Sequence, residues 1–267
     1  MNCQSKVSVI IPCHNAFRYI DSCLNSIVGQ TYSNLEIILC DDASTDGSLT
    51  KLLEWQKKDA RIIVLQNAEN LYAAAARNKC IDVSTGDYLL IQDVDDISEP
   101  NRVETLLYHI QRNEIDFVSS GMKLIREDSD TVYGQDVNKK RFPTRYDFLW
   151  NLPLFHPATM FTRRSVASIG GYRIAPETRR GQDYDLFMRL YAAGYRGMNI
   201  SDTLYLYRVG RENYKRRSFS ARIGEMKIRY YGFKRMKILL IGMPFILKPL
   251  FAHVLRYFKL MLHKNEC

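Results

Sequence analysis

The sequence predicts an α/β protein with a mostly parallel central sheet covered by helices on both faces, followed by a basic helical C-terminal extension. Short apolar runs alternate with helical patterns through the first 120 residues, and turn residues bound each run. Strands that alternate with helices form parallel sheets, because the crossover helices pack on the two faces. With 267 residues, 46% of them hydrophobic, the chain is long enough to bury one full core.

The alternating elements lie in the first half of the chain. Apolar or β-branched runs predict strands at residues 7–11, 36–40, 61–65, 87–91 and 116–119. Helical spacing between them predicts helices at residues 17–28, 47–57, 72–83 and 100–111. Ile20, Leu24 and Ile27 recur on one helical face, and Pro100 is a favourable first residue of a helix.

The second half has a weaker pattern. Residues 122–141 are polar and irregular, which predicts a hairpin or a surface loop. A helix is expected at 183–193, where the apolar residues share one face and a glycine follows. Short strands are expected at 197–200 and 203–207, and the chain from residue 218 onward is helical and basic.

A ligand site is expected at one edge of the predicted sheet. In open α/β sheets, ligands bind beyond the carboxyl ends of the parallel strands. Four loops follow predicted strands at that edge, at residues 12–15, 41–46, 66–70 and 93–96. These loops contain most of the polar residues that are candidates for binding or catalysis.

The acidic cluster in the last of these loops is the most informative motif. Asp93, Asp95 and Asp96 directly follow the apolar run at 88–91. Carboxylates this close repel one another unless a cation lies between them. Their oxygens suit Mg²⁺ or Mn²⁺, which commonly bridge one or two carboxylates to the phosphates of a substrate. The alternative is a solvated acidic turn, which the convergence of the four loops disfavours.

Three other polar residues have both a functional and a structural interpretation. Asp42 could accept hydrogen bonds from a nucleobase or a ribose, or it could stabilise its own loop. Arg77 can pair with a phosphate or a loop carboxylate, or it can form a salt bridge on the helix surface. Asp46 is expected to cap the helix that follows it.

Two candidates lie later in the chain. Asp183 opens the predicted helix at 183–193, where an acidic residue is commonly a cap or a partner of the helix dipole, and catalysis is the alternative. His156 precedes a proline within an apolar stretch, which favours a packed core residue over a catalyst.

Five motifs occur along the chain in order: VSVIIPCHN from Val7, DDASTDGS from Asp41, ARN from Ala76, DVDD from Asp93 and QDYDL from Gln182. In content, order and spacing they resemble the family 2 glycosyltransferases, the inverting enzymes of GT-A fold. The resemblance covers residues 6–208. It implies a GT-A fold, a nucleotide-sugar donor and transfer of the sugar with inversion.

The resemblance also implies roles for single residues of the donor site. Pro12 and Asn15 would line the nucleotide pocket, and Asp42 would contact the base, which is usually uracil. Arg77 would lie near the nucleotide. Asp93 would lie closer to the ribose or the sugar.

The same resemblance implies the catalytic groups. Asp95 would be the direct ligand of a divalent ion, Mn²⁺ or Mg²⁺, and Asp183 would be the general base. The ion would stabilise charge on the departing diphosphate, and the base would accept the proton of the acceptor hydroxyl. The chain departs from the family pattern at Gln182, where a glutamate is common, and at Leu71 and Tyr72, which replace a common glycine.

The net charge of +9 is concentrated at the C-terminal end. Residues 208–267 contain 15 Lys and Arg against 3 Asp and Glu, while the rest of the chain contains 23 against 26. The uncharged run at 238–247 is too short to span a bilayer, which takes about 20 apolar residues. Apolar residues then recur at helical spacing beside basic ones: Phe251, Leu255, Phe258 and Leu262.

This tail favours a helix that lies on an anionic membrane surface. Packing of the tail on its own domain or on a second subunit is the alternative. No nucleic-acid partner is expected, because no recognised nucleic-acid-binding module accompanies the charge. The cysteines form no C-x-x-C pair, and the run at 7–11 is too short for a signal-peptide core, which favours a reducing, cytoplasmic location.

We therefore expect a glycosyltransferase that moves a sugar from a UDP-sugar to a lipid-linked glycan acceptor, and that is peripheral on the inner face of the membrane. The catalytic domain would span 1–210 and the basic amphipathic tail 211–267. One alternative is a catalytically silent nucleotide- or glycan-binding scaffold, which Gln182 favours slightly. Another is a sugar nucleotidyltransferase. Enzymes of that class carry a phosphate-binding loop rich in glycine and arginine after the first strand, and residues 12–15 do not have this composition.

Overall fold

A computed structural model describes residues 4–138, 140–210 and 219–251. Within these ranges nine strands form one sheet: β1 (Val7–Cys13), β2 (Leu35–Asp42), β3 (Ile62–Asn67), β4 (Tyr88–Ile91), β5 (Ile97–Ser98), β6 (Phe117–Arg126), β7 (Val132–Asp136), β8 (Thr159–Thr162) and β9 (Gly197–Val209). The α-helices of the same ranges are α1 (Ile20–Val28), α2 (Ser48–Lys58), α3 (Tyr72–Val83), α4 (Arg102–Arg112), α5 (Arg163–Ser168), α6 (Gln182–Ala192), α7 (Phe219–Arg235) and α8 (Leu239–Ile246). Short 3-10 helices lie at Arg145–Leu149, His156–Ala158 and Pro176–Arg180.

The sheet is parallel in one half and mixed in the other. Its strand order is β3-β2-β1-β4-β8-β6-β9-β5, with β7 paired to β6. The strands β3, β2, β1 and β4 are all parallel, as predicted. Beyond β4 the sheet departs from the mostly parallel prediction, because β8 runs antiparallel to both of its neighbours and β5 runs antiparallel to β9.

Helices cover both faces of the sheet and enclose two hydrophobic clusters. Val9 and Ile11 of β1 pack with α1 and α4, whereas Ile10 packs with α3 and α6 on the opposite face. Successive side chains of a strand point to opposite faces, so a fully apolar strand such as β1 contributes to both clusters. Ala74 and Ala76 of α3 are buried, and their small side chains let this helix approach the sheet closely.

The structure changes several predicted elements of the second half. Residues 122–141 contain a hairpin between β6 and β7, one of the two predicted forms. The strands expected at 197–200 and 203–207 are one continuous strand, β9. Arg208 belongs to this strand and is buried, so it is part of the sheet and not of a basic tail.

The described part of the tail packs on the rest of the chain. Ile228 and Phe233 of α7 are buried in the same cluster as α6, and Arg229 Nη1 donates to the carbonyl of Leu149 at 3.0 Å. The predicted membrane helix with Leu255, Phe258 and Leu262 lies outside the described residues, as do residues 211–218. In the part of the chain that the structure describes, no helix combines the length and apolar character needed to cross a bilayer.

Candidate active site

A cavity of about 270 Å³ opens at the carboxyl ends of β1, β2 and β4. Its lining residues are Pro12, Cys13, His14, Asp42, Ala73, Arg77, Asp93, Val94 and Asp95. The register explains the convergence, because Cys13 lies beside Asp41 and Ile10 lies beside Ile91 in adjacent parallel strands. Five of the seven predicted site residues therefore line one cavity. Asn15 and Asp183, both within the described part of the chain, lie outside its lining.

The loop after β1 is fastened to the loop after β2. His14 Nδ1 lies 2.7 Å from the carbonyl of Asp42, so Nδ1 carries the proton and Nε2 accepts from Asn70 Nδ2 at 3.1 Å. Asn15 adopts a left-handed φ of 49°, which asparagine tolerates, and its Oδ1 accepts from the backbone N–H of Thr45 at 2.8 Å. Asn15 thus shapes the rim of the site rather than its wall.

Asp42 lines the cavity and also fixes the loop after β3. Its Oδ1 accepts hydrogen bonds from Asn67 Nδ2 at 2.7 Å and from the backbone N–H of Leu71 at 2.9 Å. Asp46 accepts from the backbone N–H of Ser48, the first residue of α2, at 3.0 Å. The N-cap of α2 is Gly47, so the prediction that Asp46 is the cap is wrong by one residue, although Asp46 still contacts the first residue of the helix.

Arg77 pairs with the acidic turn and not with the helix surface. It is buried on α3, and its Nη2 lies 2.5 Å from Asp93 Oδ1. Of its other guanidinium atoms, Nε and Nη1 are buried without a hydrogen-bond partner in the described structure. Burial lowers the pKa of Arg77, but the Asp93 carboxylate outweighs this effect, so the pKa is raised and the guanidinium stays charged.

The remaining carboxylates of the acidic turn differ in their surroundings. Burial, followed by the nearby charge of Asp93, raises the pKa of Asp95 to about 6. Asp96 is fully buried, and its Oδ1 accepts from the backbone N–H of Arg208 at 2.7 Å. The Nε of Arg208 donates to the carbonyl of Asp95 at 2.7 Å. Asp96 therefore ties the turn to β9.

Three buried residues behind the acidic turn were not predicted from the sequence. Gln92 Nε2 donates to the carbonyls of Asp93 and Asp96 at 2.9 and 3.0 Å, and its Oε1 accepts from Arg102 Nη1 at 2.8 Å. The hydroxyl of Tyr205 accepts from the backbone N–H of Asp93 at 3.1 Å. For Gln92, the sequence contains one signal that could have indicated this role, because it is a polar residue between an apolar strand and an acidic turn. No comparable signal marks Arg102 or Tyr205.

Asp183 lies in the first turn of α6, and its Oδ1 accepts from the backbone N–H of Tyr184 at 2.8 Å. It is close enough to Arg77 for its charge to act on that guanidinium, after the larger effects of burial and Asp93. The start of α6 is held by Asp185, whose carboxylate accepts from Arg189 Nε at 2.7 Å. The charge of Asp183 therefore acts on a residue that lines the cavity.

The segment that lacks the family glycine has an unusual backbone. Tyr72, beside the cavity-lining Ala73, has a φ of 67°, which is a left-handed conformation that glycine adopts readily and tyrosine rarely. Its half-exposed ring is covered by the guanidinium of Arg179, whose Cζ lies 3.5 Å from the ring centroid. Arg179 belongs to the 3-10 helix that precedes α6, so this contact joins the start of α3 beside the cavity to the segment that leads into α6.

His156 is a core residue, as predicted. It is buried, and its Nε2 lies 2.6 Å from the hydroxyl of Tyr172. Burial lowers the pKa of His156 to about 3, with the charge of Arg77 as the next cause, so the imidazole is neutral at pH 7.

Comparisons with known proteins identify the family of this chain. The model of the family "Glycosyl transferase family 2" matches residues 8–170. The chain is 35% identical over 252 residues to the putative glycosyltransferase EpsE of Bacillus subtilis, covering 94% of this chain and 90% of that protein. It is 35% identical over 123 residues to the Escherichia coli enzyme named UDP-Glc:alpha-D-GlcNAc-diphosphoundecaprenol beta-1,3-glucosyltransferase WfgD, covering 46% of this chain and 48% of that one.

A solved structure confirms the expected fold. The crystal structure of S. aureus TarS 1–349 in complex with UDP-GlcNAc matches with a TM-score of 0.73 and 19% sequence identity, covering 91% of this chain and 73% of that chain. The GT-A fold predicted from the motifs is therefore correct. The chain belongs to glycosyl transferase family 2 and is a glycosyltransferase that acts on nucleotide sugars.

Proposed function

We propose that this glycosyltransferase moves a sugar from a UDP-sugar to an acceptor hydroxyl with inversion of the anomeric configuration. The observation that carries the proposal is the single cavity that brings Asp42, Arg77, Asp93 and Asp95 together at the carboxyl ends of parallel strands. Pro12 forms part of the same wall, and Asn15 holds the rim. The UDP-GlcNAc complex of TarS and the UDP-Glc in the name of WfgD support a uracil nucleotide.

The residues of the acidic turn fit a divalent ion, Mn²⁺ or Mg²⁺, with Asp95 as the direct ligand. The fit rests on two carboxylates, Asp93 and Asp95, that line the same cavity, with Asp95 accessible to solvent there. The surrounding protein and the charge of Asp93 raise the pKa of Asp95 to about 6. Among the described residues, no three His, Cys, Asp or Glu side chains converge on one point. Ions of this kind commonly use one or two carboxylates and take their other oxygens from phosphates and water. When bound, the ion supplies stabilisation of the charge that develops on the departing diphosphate.

The proton chemistry belongs to Asp183 in this proposal. An acceptor hydroxyl that attacks the anomeric carbon must lose a proton, which one carboxylate can accept as general base. Gln182 beside it is uncharged, so that position adds no second negative charge next to the base. The charge of Asp183 acts on Arg77, a residue of the cavity wall, and this supports the role.

For the acceptor, we propose a lipid-linked glycan in the assembly of a surface polysaccharide. The name of WfgD, with its GlcNAc-diphosphoundecaprenol acceptor, supports a lipid-linked substrate. The protein would act at the cytoplasmic face, bound peripherally to an anionic membrane. Residues 1–210 would form the catalytic domain, and residues 211–267 the basic amphipathic tail.

Donor turnover tests this function most directly. The full-length protein should hydrolyse one member of a UDP-sugar panel slowly in the presence of Mn²⁺, and Asp95→Asn should lose that activity while its unfolding temperature stays close to wild type. Asp183→Asn should lose transfer to an acceptor but still bind UDP. The matched control is Asp202→Asn, an exposed carboxylate in β9. Full transfer by Asp183→Asn would rule out the general base, and UDP binding without any turnover would favour a silent scaffold.

A further inference from the structure

The helix α8 has an unusual composition for a surface helix. Its eight residues, LLIGMPFI, include no charged or strongly polar side chain. One side packs on the protein: Gly242 lies against the ring of Phe233, and the ring of Phe245 lies 5.0 Å from that of Trp150. A helix that is apolar all round is ordinarily buried, in protein or in lipid.

The opposite side of α8 is exposed. Large fractions of the apolar side chains here are accessible: Leu240 90%, Ile241 57% and Met243 53% within α8, and Leu247 44% and Phe251 61% in the turn that follows it. Positions 240, 243, 247 and 251 recur at the spacing of one helical face. α8 ends at Ile246, with Leu247 as its C-cap, and a further helical turn follows, in which the backbone N–H of Phe251 donates to the carbonyl of Leu247 at 3.2 Å. Single exposed apolar residues are normal, but five of them within residues 240–251 indicate an interaction site.

Basic residues flank this apolar segment in the sequence. Lys234 and Arg235 close α7, Lys237 precedes α8, and Lys248 follows it. The Nζ of Lys248 lies 5.3 Å from the ring centroid of Trp150, which is itself largely exposed. Tryptophan with lysine or arginine beside an apolar surface is typical of proteins at the boundary between lipid headgroups and acyl chains.

We propose that the outer face of α8 inserts into the interfacial layer of an anionic membrane, while the surrounding lysines and arginine bind lipid headgroups. The inserted residues are Leu240, Ile241, Met243, Leu247 and Phe251. This proposal rests on the proposed function, since a lipid-linked acceptor requires the active site to reach a membrane. It assigns the docking surface to a segment that is fixed on the folded domain through Gly242 and Phe245, rather than to the end of the chain.

Charge favours an anionic membrane over two other partners for this apolar face, a second copy of the chain and residues 252–267. A second copy bound about a two-fold axis would bring the same basic rim against itself, because such interfaces pair identical patches. Residues 252–267 carry three Lys and Arg against one Glu, so they too would add like charge to the rim. An anionic bilayer matches both the apolar face and the basic rim.

Trp150 offers a natural reporter for the test. The chain contains two tryptophans, and Trp55 lies on α2 with its indole N–H bonded to Asp21 Oδ1 at 2.9 Å. Trp55→Phe therefore leaves Trp150 as the single fluorophore. With vesicles of 30% phosphatidylglycerol in phosphatidylcholine, we expect a blue shift of Trp150 emission, and quenching when the acyl chains are brominated. With pure phosphatidylcholine vesicles, we expect at least tenfold weaker binding.

The variants separate the docking face from the rest of the surface. Leu240→Glu, Met243→Glu and Leu247→Glu, combined in the full-length protein, should weaken binding to the anionic vesicles by at least tenfold. The matched control combines Leu53→Glu and Ile63→Glu, which change exposed apolar residues of α2 and β3 and should bind as wild type.

Other results of these experiments would contradict the proposal or identify a different partner for the apolar face. Undiminished vesicle binding by the triple variant would overturn the proposal. Loss of binding on deletion of residues 252–267 alone, with the triple variant unaffected, would transfer the docking role to that segment. A dimer that the triple variant dissociates, without vesicle binding by the wild type, would identify a second copy. Donor hydrolysis in solution is measured in parallel, so failure of the membrane proposal is distinguishable from failure of the proposed chemistry.

Discussion

Glu36 anchors the sheet at the end opposite the active site, and we predict that Glu36→Gln destabilises the protein in a pH-dependent way. Its buried carboxylate accepts hydrogen bonds from Lys6 Nζ at 2.6 Å, Ser8 Oγ at 2.5 Å and the backbone N–H of Gly86 at 3.1 Å. The backbone N–H and the hydroxyl of Thr85 donate at 2.6 and 2.9 Å. The carboxylate thus joins β1, β2 and the turn that precedes β4.

The magnitude follows from the pKa of this carboxyl. Burial raises the pKa of Glu36, but the hydrogen bonds from Lys6, Ser8 and Thr85 outweigh burial and lower it from 4.5 to about 2. At ~1.4 kcal/mol per pKa unit, the ionised form contributes about 3 kcal/mol to the free energy of unfolding at pH 7. Because folding lowers the pKa, this contribution is complete above about pH 4.5, falls to roughly half at pH 3, and is lost near pH 2.

Urea unfolding of wild type and Glu36→Gln at pH 7 and pH 3 measures this contribution. We expect a difference of about 3 kcal/mol at pH 7 that shrinks by about half at pH 3, since the glutamine does not titrate. Glu54→Gln, an exposed position on α2, is the control and should change stability by less than about 0.5 kcal/mol. An equal loss at both pH values would refute the assignment of the stability to the ionised carboxylate.

Two further variants test the segments around the cavity. Because Tyr72 has a left-handed φ of 67°, Tyr72→Gly should be more stable than Tyr72→Ala by about 1 kcal/mol in thermal or urea unfolding, and equal stability would show that the residue is not held in this conformation. Gln92→Leu leaves the carbonyls of the acidic turn and the guanidinium of Arg102 with fewer partners, so it should cost about 1–3 kcal/mol and weaken Mn²⁺ binding by roughly tenfold or more. Electron paramagnetic resonance of free Mn²⁺ measures the binding affinity. An unchanged affinity for Mn²⁺ would show that Gln92 contributes to stability but not to metal binding.

Local sequence pattern was sufficient for the first half of the fold. Hydrophobic runs and helical spacing predicted the strands that became β1 to β4 and predicted the helix α3 at its observed residues. The strand β8 was missed, because four residues carry too little periodicity and their place in the sheet depends on distant partners. Phe161 of β8 pairs with Leu89 on one side and Phe117 on the other. Such pairing is decided by the assembled core and not by neighbours in sequence.

The same distinction applies to the site. The residues at the carboxyl ends of the strands were predictable, because the sheet topology brings those loops together. The buried residues that hydrogen-bond to the acidic turn were not predictable. Tyr205 is 112 residues from Asp93, and Arg102 acts through Gln92. Long-range contacts of this kind depend on the mixed half of the sheet, where β9 delivers Tyr205 and Arg208 behind the acidic turn.

Asp93 and Asp95, the two carboxylates of the acidic turn that line the cavity, repel each other but have different surroundings. Asp93 is compensated by the protein itself, since Arg77 lies 2.5 Å from its Oδ1. Asp95 is compensated less: its pKa is raised to about 6, first by burial and then by the charge of Asp93. A cation gains the most free energy where negative charge is least compensated. The position of Arg77 on α3 thus gives an electrostatic reason for the proposed division of roles, in which Asp95 binds the ion and Asp93 lies toward the donor.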